Sequence, residues 1–325
     1  MIPLIYHPAY NITAFGLERL HPFDSRKYQR IHDALMARGL RSRRDFERPK
    51  CISREDLLEV HTPGYLQSLR SSETLARILE VPVVRRLPAW VVDWRILRPM
   101  RFAVGGTILA CRRALEFGVA INLGGGFHHA MADGGGGFCV YADIPLAAKI
   151  LHNEGRINKV MVVDLDAHQG NGTAAIFQSW PWATIFDVYQ SNLFPSKKEP
   201  EDFALPVRTG LTGAEYLEIL HYALPETLDN VRPDLLIYNA GSDPFENDPL
   251  AGFRLTLNDI AERDLTVVTM ARERKIPVAM VLSGGYSNES WRIHTESIEG
   301  ILTRFDSDGI AAQHELRPPD SNDAP

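Results

Sequence analysis

The sequence is poor in cysteine: Cys51, Cys111 and Cys139 are the only three in 325 residues, and no two of them form a C-x-x-C pair. That excludes a disulfide-stapled scaffold and a cysteine-built zinc site, and it favours a reducing compartment. Basic charge is also short. A formal net charge of -6 and a pI near 6.0 give no global positive field of the kind that draws a protein to nucleic acid. The arginine clusters RSRR at 41–44 and RERK at 272–275 are brief and read as solvated faces. No apolar run is long enough to span a bilayer, and MIPLIYHPAY lacks a basic stretch followed by an apolar core, so neither a membrane span nor a secretory signal is expected. No repeat period or low-complexity block appears. The expectation is a soluble, cytoplasmic protein.

What the chain does have is 45% hydrophobic residues, ample for one sizeable core. A unit recurs: a short apolar run, a Gly- or Asp-rich turn, then an amphipathic segment of helical length. VAINL leads into GGGFHH, KVMVVDLDAH into QGNG, LLIYNAG into SDPFENDPLAG, and VAMVL into SGGYSNES. Short strands alternating with helices predict an α/β fold, an open, mostly parallel sheet with helices on both faces. RFAVGGTILACRRALEFG, YLEILHYALPETL and LNDIAERDLTVVTMARERK carry apolar residues at helical spacing, with Pro225 expected to bend or end the second. The first hundred residues are less regular, with helices expected around SRKYQRIHDALMARG and SREDLLEV. One domain over 1–312 is expected, followed by a disordered tail over 313–325.

In an open parallel sheet, ligands bind outside the carboxyl ends of the strands, where the strand-to-helix loops converge. The polar groups of this chain collect there. His128 and His129 follow VAINL; Asp164, Asp166 and His168 close KVMVV; Asp243 follows LLIYNAGS; Tyr286 follows VAMVLSGG. Two carboxylates and an imidazole suit a divalent ion with an open position, so Asp166, His168 and Asp243 are the expected ligands. The donor set accepts zinc, ferrous iron or manganese. Neither GGGFHH nor GGGGF completes a nucleotide fingerprint, because no GxGxxG and no following Lys-Ser/Thr pair is present.

With those residues in hand, the chain resembles the zinc-dependent histone deacetylases, most closely their class IV branch, within the arginase–deacetylase superfamily and its three-layer α/β/α fold. LERLHPFD, VHTPGYL, ILRPMRFAVGGT, INLGGGFHHAMADGGGGFCVYADI, VVDLDAHQGNG, YNAGSDPFENDPLAG and SGGY carry the resemblance over nearly the whole chain. It implies one zinc on Asp166, His168 and Asp243, tandem catalytic histidines at His128 and His129, and a carbonyl-polarising Tyr286. It implies that the Gly137 carbonyl receives the substrate amide N–H and that Phe138 and Phe194 wall an acyl-lysine tunnel. Where class I members have a second histidine and an aspartate, this chain has Gln169 and Asn171, as the class IV pattern does. Asp164 would then orient His128, while Asn171 is a neutral partner for His129. The resemblance also implies a potassium site using backbone oxygens of Asp164, Asp166 and His168.

The implied activity is removal of an acyl group, acetyl or a longer fatty acyl, from the Nε of lysine in a peptide or protein. A deacetylase of acylated polyamines and a non-catalytic acyl-lysine reader are the other readings. The arginase-like branch would need further carboxylates where this chain has Gly170 and Phe245, so a second metal has no evident ligands.

Overall fold

Successive residues of the strands point to opposite sides, and in this chain both sides are apolar. Val160, Val162, Leu235 and Ile237 enter one core together with Ile108, Cys111, Leu146 and Leu151 from helices on that face. Met161, Val163, Leu236 and Tyr238 enter a second core together with Ile31, Leu220, Val267 and Ile298 from helices on the other. A sheet buried on both faces is the architecture expected for strands that read as unbroken apolar runs.

The computed structural model describes residues 1–315 apart from 14, 15, 17, 19 and 20. Among them eight strands form one sheet: β1 (Leu4–Ile5), β2 (Phe46–Glu47), β3 (Val119–Asn122), β4 (Val160–Asp164), β5 (Ala183–Gln190), β6 (Phe203–Val207), β7 (Leu235–Asn239) and β8 (Val278–Val281). Their order is β2-β1-β3-β8-β7-β4-β5-β6, and every pairing is parallel. β6 lies at an edge, where Pro206 is tolerated because its missing N–H faces no partner strand.

The expected helices form over Lys27–Ala37, Arg98–Phe117, Gly213–Val231 and Leu257–Glu273, while the SREDLLEV segment gives only the single turn Arg54–Leu57. Pro225 neither ends nor replaces the third helix, which runs through it to Val231. Leu217, Leu220, Leu224 and Leu228 are buried on both sides of the proline, and His221, whose carbonyl loses its donor, is exposed to water. Packing therefore outweighs one lost hydrogen bond. The last helix covers Ser290–Glu315, and the expected tail beyond it lies outside the described residues. No helix among the described residues is long and apolar enough to cross a membrane.

Candidate metal and catalytic site

The register of the sheet sets the site. Asn239, Asp164 and Asp187 are neighbours on one rung, the first two at the carboxyl ends of β7 and β4 and Asp187 within β5, which runs on to Gln190. All three are fully buried. Buried polar groups need partners, and here the loops that follow the strands supply them.

The loop after β3 carries the two histidines. Asp143, buried at the start of the helix Asp143–Asn153, accepts the N–H groups of Gly126 and Phe127 at 2.8 and 2.7 Å and so fixes the turn ahead of them. Gly126 has φ of +87°, and a Cβ there would lie 2.7 Å from Ser283 Cα, so the turn admits no side chain. His128 Nδ1 then meets Asp164 Oδ2 at 2.9 Å, and Asn239 Nδ2 donates to Asp164 Oδ1 at 2.9 Å. His129 Nδ1 meets Asn171 Oδ1 at 2.7 Å.

These partners separate two otherwise similar imidazoles. Burial disfavours the cation of His128, but the charges of Asp164 and Asp166 outweigh it and push its pKa up to about 9. Burial also disfavours the cation of His129; the neighbouring His128 and His168 add to that effect, and the neutral Asn171 offsets little, so its pKa falls well below the ordinary histidine value. Since Asn171 Oδ1 can only accept, Nδ1 of His129 carries the proton and Nε2 presents a lone pair.

Beside them lie the three expected ligands. Asp166, His168 and Asp243 are buried, and one donor atom of each falls within 4.8 Å of the others. The remaining carboxylate oxygens are held from behind: Ser283 Oγ and the Gly284 N–H donate to Asp166 Oδ2, both at 3.0 Å, and the Ala167 N–H donates to Asp243 Oδ1 at 2.9 Å. His168 Nδ1 faces Asp243 Oδ2 at 2.9 Å and Asp166 Oδ1 at 3.2 Å. Burial alone would lower the pKa of His168, yet the two carboxylates raise it to about 10, while burial and the charge of Asp166 hold Asp243 up at about 7. Two carboxylate oxygens and an imidazole nitrogen converging in a buried pocket, whose negative charge draws the imidazole toward its cation, fit a divalent ion.

Tyr286 completes the group. Its N–H and that of Ser287 donate to Asp248 Oδ2 at 2.7 and 3.1 Å, and its ring lies 6.3 Å from that of His168. Burial, with Asp166 and Asp243 nearby, keeps its phenol well above the ordinary tyrosine range and hence protonated. Phe138 lies 5.9 Å from Tyr286, and Phe194, which is 46% exposed, meets the His129 ring edge-on at 4.9 Å. Gly137 has φ of +50°, and a Cβ there would sit 2.4 Å from His129 Cδ2. All the residues singled out from the sequence are thus brought together, with Gln169 behind them exchanging hydrogen bonds with the backbone of Glu199.

Several supporting residues escape sequence reasoning. Lys27 is fully buried and donates to the carbonyls of Ser283 and Gly284 at 2.8 and 3.2 Å, bracing the turn before Tyr286. Burial pulls its pKa down to about 8 against the opposing charges of Asp243 and Asp166. Asp187 takes the Gly170 N–H at 2.8 Å, and burial with the charges of Asp164 and Glu201 holds it well above the usual carboxylate range. Asn239 alone left a signal: a polar residue closing a buried strand in the motif YNAGSDPFENDPLAG.

A parallel sheet with helices on both faces and a cation-ready cluster at its carboxyl edge defines an α/β protein of the arginase–deacetylase kind. The chain belongs to the histone deacetylase family, whose domain it matches over residues 21–300. It is 42% identical over 303 residues to histone deacetylase 2 of Arabidopsis thaliana, covering 92% of this chain and 78% of that one. It is also similar to the acetoin utilization protein AcuC of Bacillus subtilis, at 26% identity over 97% of this chain and 84% of that one. The crystal structure of the HDA15 HD domain superposes with a TM-score of 0.75 at 19% identity, over 96% of this chain and 93% of that one, and shares the fold. Family membership makes the protein a deacetylase-type hydrolase.

Proposed function

We propose that residues 1–312 form one zinc-dependent deacylase domain of class IV character that hydrolyses Nε-acyl-lysine. The observation that carries this reading is the pairing of His128 with the Asp164 carboxylate at 2.9 Å and of His129 with the Asn171 amide oxygen at 2.7 Å, beside the Asp166–His168–Asp243 cluster. Zinc held by those three ligands would supply Lewis-acid polarisation of the acyl carbonyl. His129 Nε2 takes the proton of the attacking water and returns it to the leaving amine. His128, held by Asp164, places positive charge near the developing oxyanion, and the Tyr286 hydroxyl donates a hydrogen bond to it. Asn171 fixes the tautomer of His129 without adding charge, the feature on which the class IV reading rests.

Gly137 accepts the substrate amide N–H, and Phe138 and Phe194 flank the lysine stem. The pocket that holds His128, His129, Asp166 and Tyr286 is also lined by aliphatic side chains, among them Leu79, Val81, Val84 and Ile96, together with Phe23, Tyr28 and the polar Glu18 and His21. Such a lining supports fatty acyl groups as substrates, since each buried methylene contributes about 0.8 kcal/mol. The reading includes a potassium ion on backbone oxygens of Asp164, Asp166 and His168, near the buried carboxylate of Asp187. Three free cysteines support a cytoplasmic setting.

Rates on acetyl-, octanoyl- and myristoyl-lysine peptides, set against acetylated polyamines, test the substrate. Chelation is expected to abolish turnover and zinc to restore it. Active protein free of transition metal by elemental analysis would sink the proposal, and a preference for polyamines would move the substrate to small amines. Unchanged turnover when a large organic cation replaces potassium would remove that ion.

A further inference from the structure

Residues 77–101 hold six arginines and two acidic residues in a chain whose formal net charge is -6. One of the acids, Asp93, is already paired with Arg101 at 2.7 Å. Within this basic stretch a helix begins at Ala89, widens to a π-helical stretch over Asp93–Leu97, and continues as Arg98–Phe117. Its inward residues Val91, Val92, Ile96 and Leu97 are buried. Its outward residues include Trp90 and Trp94, four positions apart and 69% and 48% exposed, with the Arg95 guanidinium 3.9 Å above the Trp94 ring.

Beside Trp90 a groove opens over Leu66, Leu69 and Leu97, and its rim includes the exposed Arg54 and Arg70. Arg85 and Arg86, just ahead of the helix, are exposed as well. Two protruding indoles stand among these arginines, with Asp93 in the groove paired to Arg101 and Glu55 and Asp56 beside Arg54, and nothing in the chain covers this apolar, arginine-rimmed face among the described residues. Indole rings favour the boundary between water and acyl chains, and arginines beside it are drawn to anionic headgroups. The other side of the same segment reaches the substrate pocket, where Val84, Leu87 and Ile96 are among the lining residues.

We propose that the Trp90–Trp94 face is a docking surface for an anionic lipid bilayer, with the two indoles entering the interfacial layer and Arg54, Arg70, Arg85 and Arg86 meeting the headgroups. The choice of a bilayer over an acidic protein rests on the fatty-acyl reading above, because a lysine carrying a long acyl chain partitions reversibly into membranes. The surface itself stands on the exposed indoles and the local charge.

Co-sedimentation of the full chain with vesicles tests it. Binding is expected with phosphatidylcholine–phosphatidylserine vesicles, not with phosphatidylcholine alone, and it should weaken with added salt. Trp90→Ala with Trp94→Ala should remove the vesicle-induced blue shift of indole fluorescence, and Arg85→Glu with Arg86→Glu should lower partitioning at least about ten-fold. Both double variants should keep wild-type turnover on a soluble acetyl-lysine peptide, which shows that they fold. No binding by the wild type, or equal binding by the variants, overturns the docking surface, as does capture of an acidic protein without vesicle binding. Charge-dependent binding by a protein inactive on fatty-acyl peptides supports the surface and overturns the substrate reading alone.

Discussion

Nδ1 of His129 lies 2.7 Å from Oδ1 of Asn171, so the second imidazole of the tandem pair rests on an uncharged partner while the first rests on a carboxylate. Asn171→Asp gives the second imidazole a carboxylate partner as well. A carboxylate at that distance should raise the His129 pKa by about one to three units and carry the acidic limb of the kcat/KM profile upward by a similar amount. An unchanged limb would mean that His129 is not the group whose deprotonation activates the enzyme.

The hydroxyl of Tyr286 is expected to matter only once charge develops on the acyl oxygen. Tyr286→Phe keeps the ring contacts and the backbone bonds to Asp248, so the protein should fold with its metal content unaltered. Turnover should fall by about 10²–10³ with little change in KM. Near wild-type turnover would remove Tyr286 from the mechanism.

Gly137→Ala tests whether the glycine is needed for space rather than flexibility. The added methyl meets the His129 ring at 2.4 Å on a backbone of φ +50°, so His129 must move. The expected result is a large loss of turnover on every acyl chain length, with thermal stability lowered by about 1–3 kcal/mol. A loss confined to long acyl chains would place the residue at the pocket wall instead.

Acid should destabilise the fold through His61 as well as through the metal cluster. Its Nε2 accepts the Ala142 N–H at 3.0 Å, and burial lowers its pKa to about 4. The unfolded chain binds that proton from about pH 6.5 downward, so this contribution is complete above 6.5 and is lost as pH falls toward 4. Its size is on the order of 3 kcal/mol. His61→Gln retains an acceptor without the titration, so urea midpoints measured from pH 7 to 4.5 should fall less steeply for the variant than for the wild type. Parallel curves would contradict the assignment.

The central strands and the reacting side chains were legible because both leave local marks. A strand buried on two faces is a continuous apolar run, and a site at its end is an abrupt change to polar residues, as in VMVVDLDAH. The two-residue strands β1 and β2 leave no periodicity to read, and β5 stands apart from the recurring units. Lys27, Asp187 and Asp248 were invisible for another reason. Each acts across a long sequence separation, as when Lys27 holds the carbonyl of Ser283, and nothing near it in the chain announces that partner. Pro225 shows the reverse failure, a local rule overridden by the burial of leucines on either side.

The position of β8 bears on how the protein is made. It is the last strand in the chain but lies between β3 and β7. Before it is synthesised, the strand order leaves two groups, β2-β1-β3 and β7-β4-β5-β6, with no pairing between them. His128 and His129 belong to the first group, and Asp164, Asp166, His168 and Asp243 to the second. The edges of β3 and β7 that face β8 have no other partner in the sheet, and unpaired edges of that kind are what chaperones shield and aggregation exploits. Enzymatic competence should appear in a single late step, when Val278–Val281 joins the two groups and brings Tyr286 with it.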